Sequence, residues 1–227
     1  CREPMTFSIA ARCAETGMFG IAISSSSPAV AARCSHARAG AGVVASQNIT
    51  DPSLGFSGLE MLATGATAEE ALGRLVASTP FADYRQLAIV DARGHVAGHS
   101  GERTLGTHAM AKGEGCIAAG NLLSNTGVPQ QMIAAFEASS GGLPSRLLNA
   151  LAAGLKAGGE AGPVRSAGLK VVHKVAWPIV DLRVDWHDQP IEALQDLWAV
   201  YEPQMEDYVK RALDPNAAPS FGVPGDE

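Results

Sequence analysis

Apolar residues recur with period two from the start of the patterned chain: Phe7, Ile9 and Ala11 alternate with Thr6, Ser8 and Ala10. Alternation at this period marks a strand with two distinct faces. Glu15-Thr16-Gly17 reads as a turn and Met18 to Ser24 resumes the strand pattern, so the chain opens with a predicted hairpin. Ser24 to Gly40 is a polar-rich connection, and a short buried strand is expected from Ala41 to Gln47. The period then changes. Gly58, Leu59, Leu62 and Ala63, then Glu69, Ala71, Leu72, Leu75 and Val76, recur three and four residues apart. That spacing predicts two short helices or one kinked one, with Thr67 as a cap before Glu69-Glu70.

Beyond this helical stretch, Arg85 to Asp91 and His95 to Ser100 flank Ala92-Arg93-Gly94 as a second predicted hairpin, and Gly115 to Leu122 reads as another buried strand. Helix returns from Val128 to Leu155, broken around Gly141-Gly142-Leu143-Pro144. Ser166 to His173 and Ile179 to Val184 are predicted strands, and Ile191 to Leu213 an amphipathic helix that Pro203 bends or divides. Runs of strands alternate with runs of helices without strict βαβ order, which predicts a layered α/β (α+β) fold of antiparallel sheets covered by helices. Neither a repeat nor a linker divides the chain, so one domain is expected over 1–214, with 215–227 as a flexible tail.

Composition sharpens this picture. With 227 residues, 46% of them hydrophobic, the chain can bury one sizeable core. Its 25 glycines and alanine-heavy apolar fraction stand beside only 5% aromatics, so the core must be built from small side chains in closely approaching layers. Lys and Arg number 17 against 23 Asp and Glu, with no basic cluster interleaved with aromatics, which argues against nucleic acid as a partner. No uninterrupted apolar run is long enough for a membrane span, and no basic region precedes an apolar run, so a soluble cytoplasmic protein is expected. Cys1, Cys13, Cys34 and Cys116 form no C-x-x-C pair, and the histidines His95, His99, His108, His173 and His187 have no ligand spacing. Reduced thiols, no metal and no cofactor follow as expectations. The apolar, small-residue helices of 128–155 lead us to expect a homo-oligomer.

Several segments in order resemble a known family: Met5-Thr6-Phe7-Ser8-Ile9-Ala10-Ala11-Arg12; Ala37-Arg38-Ala39-Gly40-Ala41-Gly42 leading to Ser46-Gln47; Asp83-Tyr84-Arg85-Gln86-Leu87 with Val90-Asp91; Gly120-Asn121; and Asp181-Leu182-Arg183-Val184-Asp185. Together they are similar to a widespread bacterial family catalogued as domain of unknown function ten twenty-eight and grouped with the N-terminal-nucleophile (Ntn) hydrolases. The family commonly carries Gly-Gly-Asp and then Gln-Ser-Ala, where this chain has Gly158-Gly159-Glu160 and Arg165-Ser166-Ala167. The resemblance implies an αββα sandwich, two stacked antiparallel sheets between helical layers. It also implies an amidohydrolase acting on a C–N bond of a small polar or anionic metabolite. In that class the first residue of the mature chain is the nucleophile and its free α-amine, with an ordinary pKa of about 7.7 to 8.0, is the base.

Thr6 is the residue this resemblance points to. Cys1-Arg2-Glu3-Pro4 precede Met5, so the Thr6 nitrogen is an amide unless the chain is processed; Cys1 is the alternative nucleophile, and a strand-favouring threonine with no chemical role is a third reading. Asn121, closing a buried apolar run, offers a neutral amide for an oxyanion, or is a turn residue. Gln47 and Asn48 end another strand and offer amides to a substrate carbonyl. Ser24 to Ser27, with Ser24 and Ser26 foremost, offer hydroxyls at the end of the second strand. Asp83 and Arg85, two apart and on one face if extended, bind a substrate acid group or pair with each other. Cys34, His36 and Arg38 share one side of the segment if it is extended, which places His36 among the substrate-binding residues and Cys34 as a thiol nucleophile in a further alternative; the other reading is an ordinary loop. A non-catalytic ligand-binding or assembly protein is the rival class.

Overall fold

Alternation along the opening segment puts Thr6, Ser8 and Ala10 on one side of β1 (Thr6–Arg12) and Phe7, Ile9 and Ala11 on the other. In a computed structural model, which describes residues 5–225, both sides are covered. The order continues through β2 (Phe19–Ser25), a short α1 (Val30–Cys34), β3 (Ser35–Arg38), β4 (Gly42–Asn48), α2 (Pro52–Ala63), α3 (Ala68–Ser78), β5 (Arg85–Asp91) and β6 (Val96–Ser100). There follow β7 (Ala109–Gly113), β8 (Cys116–Asn121), α4 (Val128–Ala138), α5 (Leu143–Lys156), β9 (Ser166–Val172), β10 (Val180–Val184), α6 (Pro190–Tyr201) and α7 (Met205–Leu213).

The strands form two antiparallel sheets, one of six strands in the order β10-β9-β2-β1-β8-β7 and one of four in the order β3-β4-β5-β6. Three apolar layers hold them together. Phe7, Ile9 and Ala118 of the larger sheet pack under Met132, Phe136, Leu147 and Leu194 of α4, α5 and α6. Val44, Leu87 and Ile89 of the smaller sheet pack under Leu59, Leu62 and Leu75 of α2 and α3. Between the sheets, Ala10, Ile21, Ala45, Ala88, Val90 and Ala119 meet face to face. This is the four-layer αββα arrangement expected from the sequence.

Small residues set the spacing. A Cβ on Gly20 would lie 2.6 Å from Leu147 Cδ1, so a larger residue there would push the Leu147 side chain of α5 aside. Helix ends follow their local chemistry: Thr67 and Glu70 form a reciprocal capping box at the start of α3, and Pro203 sits in a 3₁₀ turn that divides α6 from α7. The polar-rich connection expected at 24–40 contains α1 and β3, and β7 was not anticipated. Among the described residues no helix is long and apolar enough to cross a membrane.

Candidate active site

Four strands change character at the same step. On the faces that look into the space between the sheets, Ala10 gives way to Ser8, Ala45 to Gln47, Ala88 to Gln86 and Ala119 to Asn121, each two residues along its strand. Polar groups buried this deeply must be paired. Ser8 Oγ donates to Gln47 Oε1 at 2.8 Å, and Gln47 Nε2 donates to Gln86 Oε1 at 2.9 Å. Gln86 Nε2 donates to Ser100 Oγ and to the Gly120 carbonyl, both at 3.0 Å, which fixes which end of that amide is which. Its Oε1 therefore accepts, and Asn121 Nδ2 donates to it at 3.0 Å. Asn121 Oδ1 is left buried with no partner.

Thr6 stands at the end of this array. Antiparallel register sets it opposite Ser25 on β2 and Asn121 on β8, so the three share the inter-sheet face. Thr6 Oγ1 donates to Ser25 Oγ at 3.3 Å. Ser25 Oγ spends its one proton on the Met5 carbonyl, so the Thr6 hydroxyl, Ser27 N–H at 3.1 Å and Ser27 Oγ at 2.8 Å share its two lone pairs. On the other side of the same residue, Met5 N–H donates to Ser26 Oγ at 3.0 Å and Ser26 N–H donates to Glu160 Oε2 at 3.0 Å. The main chain of Met5 is thus held at its C=O by Ser25 of β2 and at its N–H by Ser26 of the loop after it.

Glu160 is the unusual charge of the cluster. It is only 5% exposed and its Oε1 has no partner, so burial pushes its carboxyl pKa up to about 8, against the lowering effect of the Ser26 hydrogen bonds. Ser26 and Ser27 also form part of the wall of an open cavity of about 510 Å³, which brings solvent within two hydrogen bonds of Thr6. Among the described residues no group of three or more His, Cys, Asp or Glu is placed to hold a metal ion.

Of the residues the sequence singled out, Thr6, Ser26, Gln47 and Asn121 come together here. Ser24 does not: it lies opposite Phe7, on the helix-covered face, and its hydroxyl donates to the Ser166 carbonyl at 2.9 Å. His36 does not either. It lies opposite Val44 on the outer face of the smaller sheet, its Nε2 3.1 Å from the Arg33 carbonyl and its ring edge-on to Phe56 at 4.9 Å. Burial pushes its pKa down, and a Cβ on Gly55 would sit 2.1 Å from its ring, so α2 presses directly upon it. Cys34 ends α1 rather than continuing an extended segment, so it does not align with His36; burial also pushes its thiol pKa up. Asp83 belongs to a 3₁₀ turn, where two-residue alternation fails, and Arg85 reaches back to the Ile49 carbonyl and to Asp51 at 3.9 Å. Arg85 therefore points towards α2 and away from Thr6. Cys1 lies outside the described residues. Ser25 was covered by the expected serine run but not singled out within it, and Gln86 and Glu160 were missed.

Fold and site together define a class: an αββα sandwich with a buried hydroxyl at the end of its opening strand and a solvent cavity beside it. The chain belongs to the Family of unknown function (DUF1028), whose model matches residues 6–194. It is 33% identical to protein SPO2555 from Silicibacter pomeroyi, whose crystal structure superposes with a TM-score of 0.81 over 87% of this chain and 89% of that one. Anbu (ancestral beta-subunit) from Yersinia bercovieri aligns at 10% identity over 90% of this chain and 97% of its own, with a TM-score of 0.37. A Gly-1 mutant of Anbu from Hyphomicrobium sp. strain MC1 aligns at 10% identity over 88% and 95%, again with a TM-score of 0.37. Likeness that slight carries no argument here. No curated protein matches the chain.

Proposed function

We propose that the protein is an amide-bond hydrolase of the N-terminal-nucleophile type, with Thr6 Oγ1 as nucleophile once the Met5–Thr6 bond has been cut. The observation that supports this most is the setting of the Thr6 hydroxyl, which stands at the end of β1 opposite Ser25 and Asn121, donates to Ser25 and has lone pairs that no described residue engages. In the reaction, Oγ1 bonds to the substrate carbonyl carbon and its proton passes to the freed α-amine of Thr6. That amine hands the proton to the departing nitrogen as the C–N bond breaks. Water then adds to the ester left on Thr6, the carboxylic acid departs, and Thr6 regains its proton.

The amide network changes the part assigned to Asn121. Gln86 takes one of the two N–H donors of Asn121 Nδ2, which leaves the second for an oxyanion and the unpaired Oδ1 for an N–H of the freed amine or of the substrate. Gln47 is held at both ends, by Ser8 and Gln86, and serves as support.

A second reading, ligand binding without turnover, draws on the hold that Ser25 and Ser26 keep on the main chain of Met5. One experiment separates the two. Intact-mass measurement of the purified chain is paired with amine release from a panel of small amides. The hydrolase reading expects a species beginning at Thr6 that turns over, with Thr6→Ser active and Thr6→Ala down by about 10³-fold or more. Turnover by a chain that still carries Met5, or by Thr6→Ala, sinks it.

A further inference from the structure

The cavity that touches Ser26 and Ser27 carries a charge pattern of its own. Arg165 and Trp186 line it, with Asp188 at the rim. Arg165 is anchored by its main chain, its N–H donating to the Ser25 carbonyl at 2.7 Å and its carbonyl accepting His187 N–H at 2.8 Å. The same strand end that carries the serine clamp therefore fixes the base of this side chain. Its guanidinium carbon lies 5.9 Å from the centroid of the Trp186 ring, which is 63% exposed. A planar cation thus lies over one side of a largely exposed indole in one opening.

The counterion of Arg165 is Asp188, whose side chain is 88% exposed. A carboxylate so fully hydrated holds its partner weakly and yields readily to a competing one. A second guanidinium stands behind the wall. Arg33 donates from Nη2 to Ser27 Oγ at 2.7 Å and from Nη1 to the Pro28 and Ala29 carbonyls at 2.6 and 3.1 Å. No ion pair among the described residues includes it. Glu160, the nearest buried carboxyl, is largely protonated at neutral pH because burial raises its pKa to about 8. Two guanidiniums against one exposed carboxylate leave a net positive spot on a chain of net charge −6. Such a spot attracts an anion.

We infer that this cavity is the acid-recognising subsite of the proposed reaction. Arg165 binds the carboxylate of an N-acyl amino-acid-like substrate, a flat apolar group of the same molecule lies on Trp186, and the scissile amide passes Ser26 and Ser27 towards Thr6. The substrate class rests on the reading of Thr6 as nucleophile; the anion site does not. Arg85, the guanidinium the sequence favoured for this task, is committed to Asp51 and the Ile49 carbonyl on the other side of the smaller sheet.

Titration calorimetry on the full chain, with N-benzoylglycine and its uncharged analogue N-benzoylglycinamide as probes, tests the inference. A Thr6→Ala background prevents turnover during the titration. We expect the acid to bind about tenfold or more tightly than the amide, and Arg165→Met to abolish that preference. Asp188→Asn removes the competing carboxylate from an exposed position. It is expected to tighten the acid several-fold and leave the amide unchanged, so the inference stays testable even if Arg165→Met folds poorly. Equal affinity for the two probes, or a preference untouched by both substitutions, overturns it. Turnover distinguishes this result from failure of the nucleophile reading. Arg165-dependent binding without cleavage by a chain beginning at Thr6 leaves the subsite and removes the hydrolase, whereas cleavage indifferent to Arg165 does the reverse.

Discussion

The space between the two sheets is built in two ways along the same strands. In its middle, Ala10, Ala45, Ala88 and Ala119 meet with nothing to satisfy but van der Waals contact; one strand step away, Ser8, Gln47, Gln86 and Asn121 fill an equally dry layer with amides and a hydroxyl. The middle can tolerate volume-conserving change, because alkyl contact has no direction. The polar end cannot, because each amide orients the next. That end holds Thr6, and it leaves the Asn121 carbonyl oxygen unpaired beside it.

That contrast can be broken most sharply at Gln86. Gln86→Leu turns the polar end apolar at its hub and strands the donors of Gln47 and Asn121 together with the Gly120 carbonyl. We expect a loss of about 3 kcal/mol in urea unfolding, read as a lower midpoint at unchanged slope. A change below about 0.5 kcal/mol would mean that the network contributes no more than the alanine layer beside it. Ser8→Ala removes one terminal donor and leaves Gln47 Oε1 unpaired, so about 1 kcal/mol is expected by the same measurement.

Glu160→Gln probes the pH dependence and has the clearest sign. The native state raises this carboxyl from its ordinary 4.5 to about 8, so the folded chain holds a proton that the unfolded chain releases. Stability due to this group is therefore unchanged below pH 4.5 and falls as pH rises towards about 8, and Glu160→Gln should flatten that fall. Unfolding midpoints at acidic, neutral and mildly alkaline pH supply the check; an identical slope in the variant would show that the carboxyl ionises freely.

How much of this the sequence discloses depends on the length and regularity of each signal. Long periodic runs such as Leu143–Lys156 and Arg85–Asp91 declare themselves, and Thr67 with Glu70 declares a helix start. The five residues of α1 and four of β3 are too short for any period to register, which is why His36 and Cys34 looked like neighbours in one extended segment. The hairpin shows how fine the margin is. A turn centred on Thr16 would pair Thr6 with Ser26, whereas the observed register is centred between Glu15 and Thr16 and pairs it with Ser25. Gln86 stayed hidden for a different reason: both faces of β5 are apolar, Leu87 and Ile89 on one and Ala88 and Val90 on the other, so alternation cannot say which face looks between the sheets. Glu160 sits outside regular structure, where no period exists to place it.

The position of β1 in its sheet sets an order of events in time. It is the first strand among the described residues, yet it lies inside the six-stranded sheet, paired with β2 from the same hairpin and with β8 from far along the sequence. A newly made chain can close the hairpin at once, but Thr6 meets Asn121 only after a long loop has closed, an entropically slow step. Any chemistry at the Met5–Thr6 bond that needs both neighbours must therefore wait for the sheet, so maturation would report completed folding.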